Sequence, residues 1–447
     1  MSNKLRLCLL SCLFSALLSF IFELSVYEVL AFGFTLFAFL NVVYEFGRSI
    51  AIRELMGFIA TLQLLFSSAF ELIFQPEEMP ITSDTYFAYA LPAVIVYYIG
   101  LVVPFAKQQQ DHVALIGQVK AYLTGKERVS TILLVIGVLG TLSYQYLPLE
   151  LKAVVNLFAI CLYAAVMYGH YLSGRTRQLT LLVAFTILVY STVKEGAFGH
   201  LIFWTTLYLI VVSAGTQWGK NMRLKLAFIS LAIVFVVVIQ SVKLEYRLST
   251  WGDKITDRRA DPELMLNLIK QRLADPDFLL SRDHILNVVH RFNQGGLLAL
   301  TMTYVPRAEP FAEGEILLHF LYPVVPRIVW ANKPITGGMA NITRFTPLVH
   351  TGLSSSNISP FGEAYANFGE NGGIVFIFFF GLLLNLCFTY LLKIAEIKPS
   401  ILLWLPCFFS GCLTIETDIL SIWGSFLNVA VFLFLFWRIM KRFNVNL

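Results

Sequence analysis

The residues best suited to chemistry in this sequence are cations, an aromatic and a carboxylate in one late segment of the chain. Between positions 326 and 334 the chain carries Arg327, Trp330 and Lys333, with a proline at each end of the run. Arginine offers a fork of donors that matches phosphate oxygens, and lysine supplies a mobile point charge. Tryptophan stacks on a sugar face or lies at the level of lipid headgroups. The run therefore predicts a site for an anionic group near a membrane surface.

Further polar residues flank this run. Arg291 and Arg344 add two cations, and His350 and Glu363 are candidate proton acceptors. Glu363 lies a few residues before an apolar run, where burial would make its carboxylate a better base. The clustering of these residue types predicts a polar site.

Each of these residues also has a structural interpretation. An Arg, Lys or Trp at a membrane surface can be an anchor, and a glutamate beside glycines can cap a helix or stabilise a turn. Lys194 adjoins Glu195 between two apolar runs. It either extends to the membrane surface or faces the same cavity as the other cations.

The amino-acid composition indicates that lipid surrounds most of the chain. The 447 residues have a mean hydropathy of +0.72, and only 14% are charged. An ordinary soluble protein has about 25% charged residues, so a soluble multidomain enzyme is excluded. All six cysteines fall in apolar runs without metal-site spacing, which predicts small buried side chains, no metal and no cofactor.

Apolar runs of helical length predict an all-α polytopic membrane protein with about twelve transmembrane helices. Nine runs fall in residues 1–242 and three in residues 371–447. The runs are 5–22, 25–44, 55–75, 86–106, 129–147, 151–173, 178–193, 198–214, 226–242, 371–392, 400–414 and 422–437.

The gaps between these runs follow the positive-inside rule. With a cytoplasmic N-terminus, the short outer loops contain only Lys152 and Lys194 as basic residues, so both termini are expected in the cytoplasm. The 128-residue segment 243–370, between spans nine and ten, is then extracytoplasmic. It holds 13 basic and 13 acidic residues, so the net charge of +5 belongs to the membrane region and does not indicate a nucleic-acid partner.

Local patterns predict helices inside this loop. Asp261 followed by Pro262 is typical of a helix start, and an apolar stripe predicts a second helix over residues 283–293. Residues 316–330 are apolar but interrupted by prolines, which favours a sheltered interfacial element over a span.

Three short motifs resemble the bacterial Wzy-type polymerases of oligosaccharide repeat units, which include O-antigen and enterobacterial common antigen polymerases. They are the Pro, Arg, Trp and NKP run at 326–334, the SP-x-GE-x-Y-x-NFG run at 359–369, and EPF-x-x-G at 309–314. Lys194 and Arg291 fit the basic residues of that family in position. The motifs cover about 80 residues, and the rest of the chain resembles the family in span number and in its single large loop.

The resemblance implies a glycosyltransferase of the glycosyltransferase C architecture in the bacterial inner membrane, with its site facing the periplasm. Its substrate would be an oligosaccharide linked to undecaprenyl diphosphate, and the growing glycan would move to the non-reducing end of a new lipid-linked repeat in O-antigen or lipopolysaccharide synthesis. A chain-length regulator and a flippase are implied partners, besides the lipid bilayer. As a hypothesis, Arg291, Arg327, Lys333, Arg344 and Lys194 bind diphosphate, Glu363 or His350 activates the acceptor, and Trp330, Tyr365 and Asn367 contact sugar.

Two alternatives remain open. An O-antigen ligase, which transfers finished polymer to the lipid A core, shares this topology and differs in its acceptor. A transporter or flippase of lipid-linked sugars is the second, although polar residues concentrated in a loop rather than at mid-membrane positions disfavour it.

Overall fold

The computed structural model describes residues 3–105, 111–147, 149–172, 174–252, 258–325, 330, 332, 337–348, 357–445 and 447. These residues form helices and, within those ranges, no β-strand. The helices before the long loop are α1 Asn3–Phe22, α2 Val26–Glu45, α3 Ile52–Thr61, α4 Ser67–Phe74, α5 Ser83–Val102, α6 His112–Leu123, α7 Glu127–Ser143, α8 Leu149–Ala159, α9 Cys161–Tyr171, α10 Gly174–Glu195, α11 Gly199–Ser213, α12 Gln217–Lys220 and α13 Met222–Thr250. The loop contains α14 Pro262–Leu273, α15 Pro276–Leu279, α16 Arg282–Phe292, α17 Gly295–Tyr304, α18 Ile316–His319 and α19 Gly338–Phe345, and after it come α20 Ser359–Ile397, α21 Leu405–Phe409 and α22 Ile419–Arg442.

The predicted all-α polytopic membrane protein is confirmed. In the described part of the chain, nine helices are long and apolar enough to cross a membrane. One of them joins α3 to α4 through a π-helix, Leu62–Phe66. The other predicted runs, at 129–147, 198–214 and 400–414, form the shorter helix α7, the shorter helix α11 and the apolar segment Pro399–Cys412. Apolar side chains face outward along α1, α10 and α13, as contact with lipid requires.

Two predicted boundaries differ from the structure. Helix α13 continues past residue 242 to Thr250, and α20 begins at Ser359 rather than near residue 371. The 39 residues of α20 would extend about 58 Å, well beyond a hydrocarbon core of about 30 Å. Gly369 breaks the helix with a φ of +66°, a conformation that favours glycine. Residues 359–368, before this break, are buried or half-buried by other parts of the protein.

Close packing of α5 against α20 fixes this element in the bundle. A Cβ on Gly100 would lie 2.6 Å from the carbonyl oxygen of Phe378, and one on Gly381 would lie 2.6 Å from that of Tyr97. Small residues allow such backbone approach in membranes. The Tyr89 hydroxyl donates a 2.7 Å hydrogen bond to the carbonyl oxygen of Phe361, which holds the first turn of α20.

The loop helices pack on one end of the bundle, hereafter the loop side. The predicted start of α14 is confirmed, since Asp261 caps it by accepting from the Leu264 amide at 2.9 Å. Helix α16 confirms the predicted helix over 283–293 and packs against α4 and α13. His284 of α16 is buried, with its Nε2 3.0 Å from the carbonyl oxygen of Val237 on α13. The loop is therefore a folded layer attached to the membrane helices.

Candidate functional site

Glu363 lies in the second turn of α20 and is 2% exposed. One carboxylate oxygen accepts a hydrogen bond from the side-chain amide of Asn341 on α19. The other accepts from the backbone N–H of Ile419, the first residue of α22, at 2.6 Å. Glu363 therefore connects three helices that are distant in sequence.

Asp418 lies beside Glu363 and caps the same helix N-terminus. Its carboxylate accepts from the Ser421 amide at 2.6 Å, from the side chain of Asn357 at 2.6 Å and from the Gly338 amide at 3.1 Å. The positive end of the α22 dipole favours both carboxylates. Sequence reasoning missed Asp418, although an acid followed three residues later by serine at the start of an apolar run is a recognisable cap pattern.

A small cavity adjoins Glu363. Its volume is about 20 Å³, which is room for one water molecule but not for a sugar. Burial lowers the pKa of His319 on its wall, so this imidazole is neutral at physiological pH. The lining residues include Glu315, His319, Asn341, Arg344, Glu363 and Asn367. This cavity suits the structural interpretation of Glu363 better than direct contact with sugar.

Other predicted residues on this side have protein partners. The Arg344 guanidinium contacts Glu309 at 2.8 Å and Glu315 at 2.7 Å, so an anion would have to compete with two carboxylates. The amide of Asn367 accepts from the Ile316 N–H and donates to the Glu363 carbonyl, which ties α18 to α20.

The aromatic residues Tyr365 and Trp330 lie in separate clusters. Tyr365 packs edge-on against Tyr89, with ring centroids 5.1 Å apart. Trp330 packs edge-on against Tyr322 at 5.4 Å. Arg327, Lys333 and His350 lie outside the described residues, so their predicted roles stay predictions.

Arg291 belongs to a cluster of cations that sequence reasoning found only in part. Lys243 and Arg247 lie one helical turn apart near the end of α13, and both are close enough to Arg291 on α16 to repel it. The guanidiniums of Arg258 and Arg247 both stack on the ring of Trp251, at 3.9 and 4.4 Å from its centroid. We call Lys243, Arg247, Arg258 and Arg291 the loop-side cation cluster.

Two carboxylates partly balance this cluster. Glu195 pairs with Arg258, and Glu416 lies 3.6 Å from Arg291. Among the described residues, the Lys243 ammonium has no hydrogen bond and no ion pair at contact distance. Lys194 is half-buried and adjoins Glu195 in sequence, and both of its interpretations stay predictions. Four cations and two carboxylates leave a positive region where α13 meets the loop.

A second cavity adjoins Asp418. Its volume is about 280 Å³, near the lower end of the range of about 300–1,000 Å³ for small-molecule sites. Asn357, Asp418 and Ser421 form one part of its lining, and Glu416, the partner of Arg291, forms another. The charged residues of this cleft, Glu416 and Asp418, are both acidic, and Glu416 connects the cleft to Arg291 of the cluster.

Glu71 and His290 form a dyad that the sequence analysis did not predict. His290 directly precedes Arg291 of the cluster in the chain. Glu71 of α4 is buried, and its carboxylate lies 2.6 Å from Nδ1 of His290 on α16. This hydrogen bond raises the pKa of His290 above its ordinary value. The separation of 219 positions along the chain leaves no local signal for the pair.

A family model matches residues 93–396, about two thirds of the chain, and its description is Domain of unknown function (DUF8712). The chain belongs to the DUF8712 family. No curated protein and no solved structure matches it.

The DUF8712 match covers some of the candidate residues and not others. It covers α13, α16 and most of α20, and therefore contains the whole loop-side cation cluster, His290 and Glu363. Glu71, Glu416 and Asp418 lie outside the matched range. The residues that complete the cleft and the dyad thus come from helices on both sides of the matched region.

Proposed function

We propose that this protein is a membrane glycosyltransferase that polymerises oligosaccharide repeat units linked to undecaprenyl diphosphate. The growing glycan is transferred from its lipid diphosphate to the non-reducing end of a new lipid-linked repeat. In this proposal the protein lies in the bacterial inner membrane, with its loop side in the periplasm and both termini in the cytoplasm. The glycosyltransferase C architecture and partnership with a flippase and a chain-length regulator belong to the same proposal.

The loop-side cation cluster is the observation that supports this proposal most. Like charges repel, so the proximity of Lys243, Arg247 and Arg291 is unfavourable; Glu416 offsets this repulsion in part, and a bound anion would reduce it further. Lys243 and Arg247 lie near the end of the apolar helix α13, and in this proposal that end lies at the level of the lipid headgroups. Below it, residues such as Leu231 and Ile233 of α13 are well exposed, so a polyprenyl tail can lie along this helix.

The chemistry of transfer requires such a cluster. The bond between the anomeric carbon and the diphosphate oxygen breaks, and the lipid diphosphate leaves with the bonding electrons. Positioned cations stabilise the charge that develops on this leaving group. The acceptor hydroxyl forms the new bond to the anomeric carbon and gives its proton to a base.

Reconstitution tests this function directly. Purified full-length protein in vesicles is incubated with a lipid-diphosphate-linked oligosaccharide repeat isolated from the strain that carries the gene. We expect a ladder of products that differ by one repeat, and a strong loss of the ladder with Arg291→Gln. Lys270→Gln, which removes an exposed cation on α14, is the matched control and should leave the ladder unchanged. A wild-type protein that forms no glycosidic bond would contradict the proposal.

A deletion strain separates the polymerase from its alternatives. Loss of a polymerase leaves a single repeat on the cell surface. Loss of an O-antigen ligase leaves no repeat on the surface and accumulates lipid-linked polymer. Transport of lipid-linked sugar across vesicles without any new glycosidic bond would instead favour a transporter or flippase.

A further inference from the structure

The side chain of His290 has one nitrogen fixed by the protein and one facing outward. Its Nδ1 lies 2.6 Å from Glu71, whose side chain is 3% exposed, whereas the His290 side chain is 61% exposed. An ionised carboxylate can only accept a hydrogen bond, so Nδ1 carries the proton, and Nε2, which has no hydrogen-bond partner in the part of the chain that the structure describes, can accept one. This is the arrangement of a carboxylate-oriented general base.

A buried hydrogen-bond chain holds the carboxylate of Glu71 in place. Its second oxygen accepts from the side-chain amide of Asn293, whose own oxygen accepts from the Ser68 hydroxyl at 3.0 Å and from the Gly295 N–H at 2.7 Å. Ser68 also contacts the hydroxyl of Tyr86 at 3.0 Å. Such a chain fixes Glu71 more firmly than solvent would, and the imidazole is oriented with it.

The backbone around the dyad is also specialised. The π-helix Leu62–Phe66 precedes α4, and π-helical turns are frequent at functional sites. Gln63 within it contacts Glu416 at 3.0 Å, accepts from the Ile415 N–H and accepts from the Gln294 N–H. The same turn therefore joins the end of α16 to the wall of the larger cleft.

We propose that His290 is the general base that accepts the proton of the acceptor hydroxyl, and that Glu71 is its positioning residue. The proton moves from the hydroxyl to Nε2 as the oxygen bonds to the anomeric carbon and the lipid diphosphate leaves. Glu71 stabilises the imidazolium that results. Arg291 follows His290 on the same helix, where it contacts Glu416 while His290 contacts Glu71. This inference rests on the proposed function and adds the residue that moves the proton.

Variants of His290 test the inference in the reconstituted assay. His290→Ala should lower the rate of ladder formation about 10²- to 10⁴-fold, and added imidazole should restore part of it. His200→Gln removes another exposed histidine, at the start of α11, and should leave the rate unchanged. A His290→Ala protein with the wild-type rate would overturn the assignment, as would a loss of rate that imidazole does not restore.

The pH profile of Glu71→Gln provides a second test. Glu71 and Glu78 are the acidic groups that act on His290, and Arg291 is the neighbouring cation. Removing the charge of Glu71 should lower the pKa of His290, so the acid limb of the rate profile should move to lower pH. If Glu71→Gln is active and the acid limb of its rate profile does not move, Glu71 does not act on the base, and the proposed dyad is excluded. A wild-type protein that forms no ladder at all would contradict the proposed function, and the role of His290 as its base would then be excluded as well.

Discussion

The carboxylates of Glu363 and Asp418 meet at the N-terminus of α22, where each lies 2.6 Å from a different backbone N–H of its first turn. One comes from α20 and the other is the helix cap, so the pair fixes the position of α22 relative to the loop. Both carboxylates accept hydrogen bonds from neutral groups. Glu363 therefore organises the wall of the small cavity that it lines.

Glu363→Gln should destabilise the protein. Glutamine offers one acceptor oxygen where Asn341 and Ile419 both donate, so one buried donor loses its partner at a cost of about 1–3 kcal/mol. Thermal unfolding in detergent measures the effect. Glu370→Gln, at an exposed position on the same helix, is the control. A Glu363→Gln protein with wild-type stability and no activity would instead favour the predicted role of Glu363 as a base.

Lys243→Gln should weaken binding of the lipid diphosphate. Losing one charge-assisted hydrogen bond of about 1.5–3 kcal/mol corresponds to roughly 10- to 150-fold in affinity. Binding of undecaprenyl diphosphate to the purified protein measures this, at low and at high salt. Lys270→Gln should bind as the wild type does. Equal affinity of both variants would remove Lys243 from the site.

The pair of His290 and Glu71 should make stability depend on pH. The pKa of His290 is raised in the folded protein, so its contribution is fully present below the unfolded value of about 6.5. That contribution is lost as the pH rises through the folded pKa. Unfolding temperatures of wild type and His290→Gln should therefore differ more at pH 5.5 than at pH 8.5. A difference that is constant across this range would contradict the coupling.

Gly100→Ala should destabilise the crossing of α5 and α20. The added methyl group would lie 2.6 Å from the Phe378 carbonyl oxygen, so the backbones must separate, at a cost of about 1–3 kcal/mol. Gly117→Ala on α6 is the matched control, because its Cβ would meet no atom within 4 Å. That control should be neutral or stabilise the helix by up to about 1 kcal/mol. Equal unfolding temperatures for both variants would contradict the close crossing.

Sequence patterns predicted the elements whose signals are local. Apolar runs marked the membrane helices, since every backbone group in lipid must be satisfied within a helix. The cap formed by Asp261 marked the start of α14 within a residue, because a cap and its helix are neighbours in the chain. Of the predicted site, Arg291 is found in the cation cluster, whereas Arg344 is held by two glutamates.

Tertiary structure alone decided which polar groups meet. Lys243 and Arg291 come together because α16 packs on α13, and Glu71 reaches His290 because the same helix packs on α4. Neither pair lies on one helix, so no periodicity of 3.6 residues relates its members. The sequence by itself determined that this is a helical membrane protein with a polar loop. Helix packing determined that a buried carboxylate, an exposed imidazole and a group of cations lie on the same side of it.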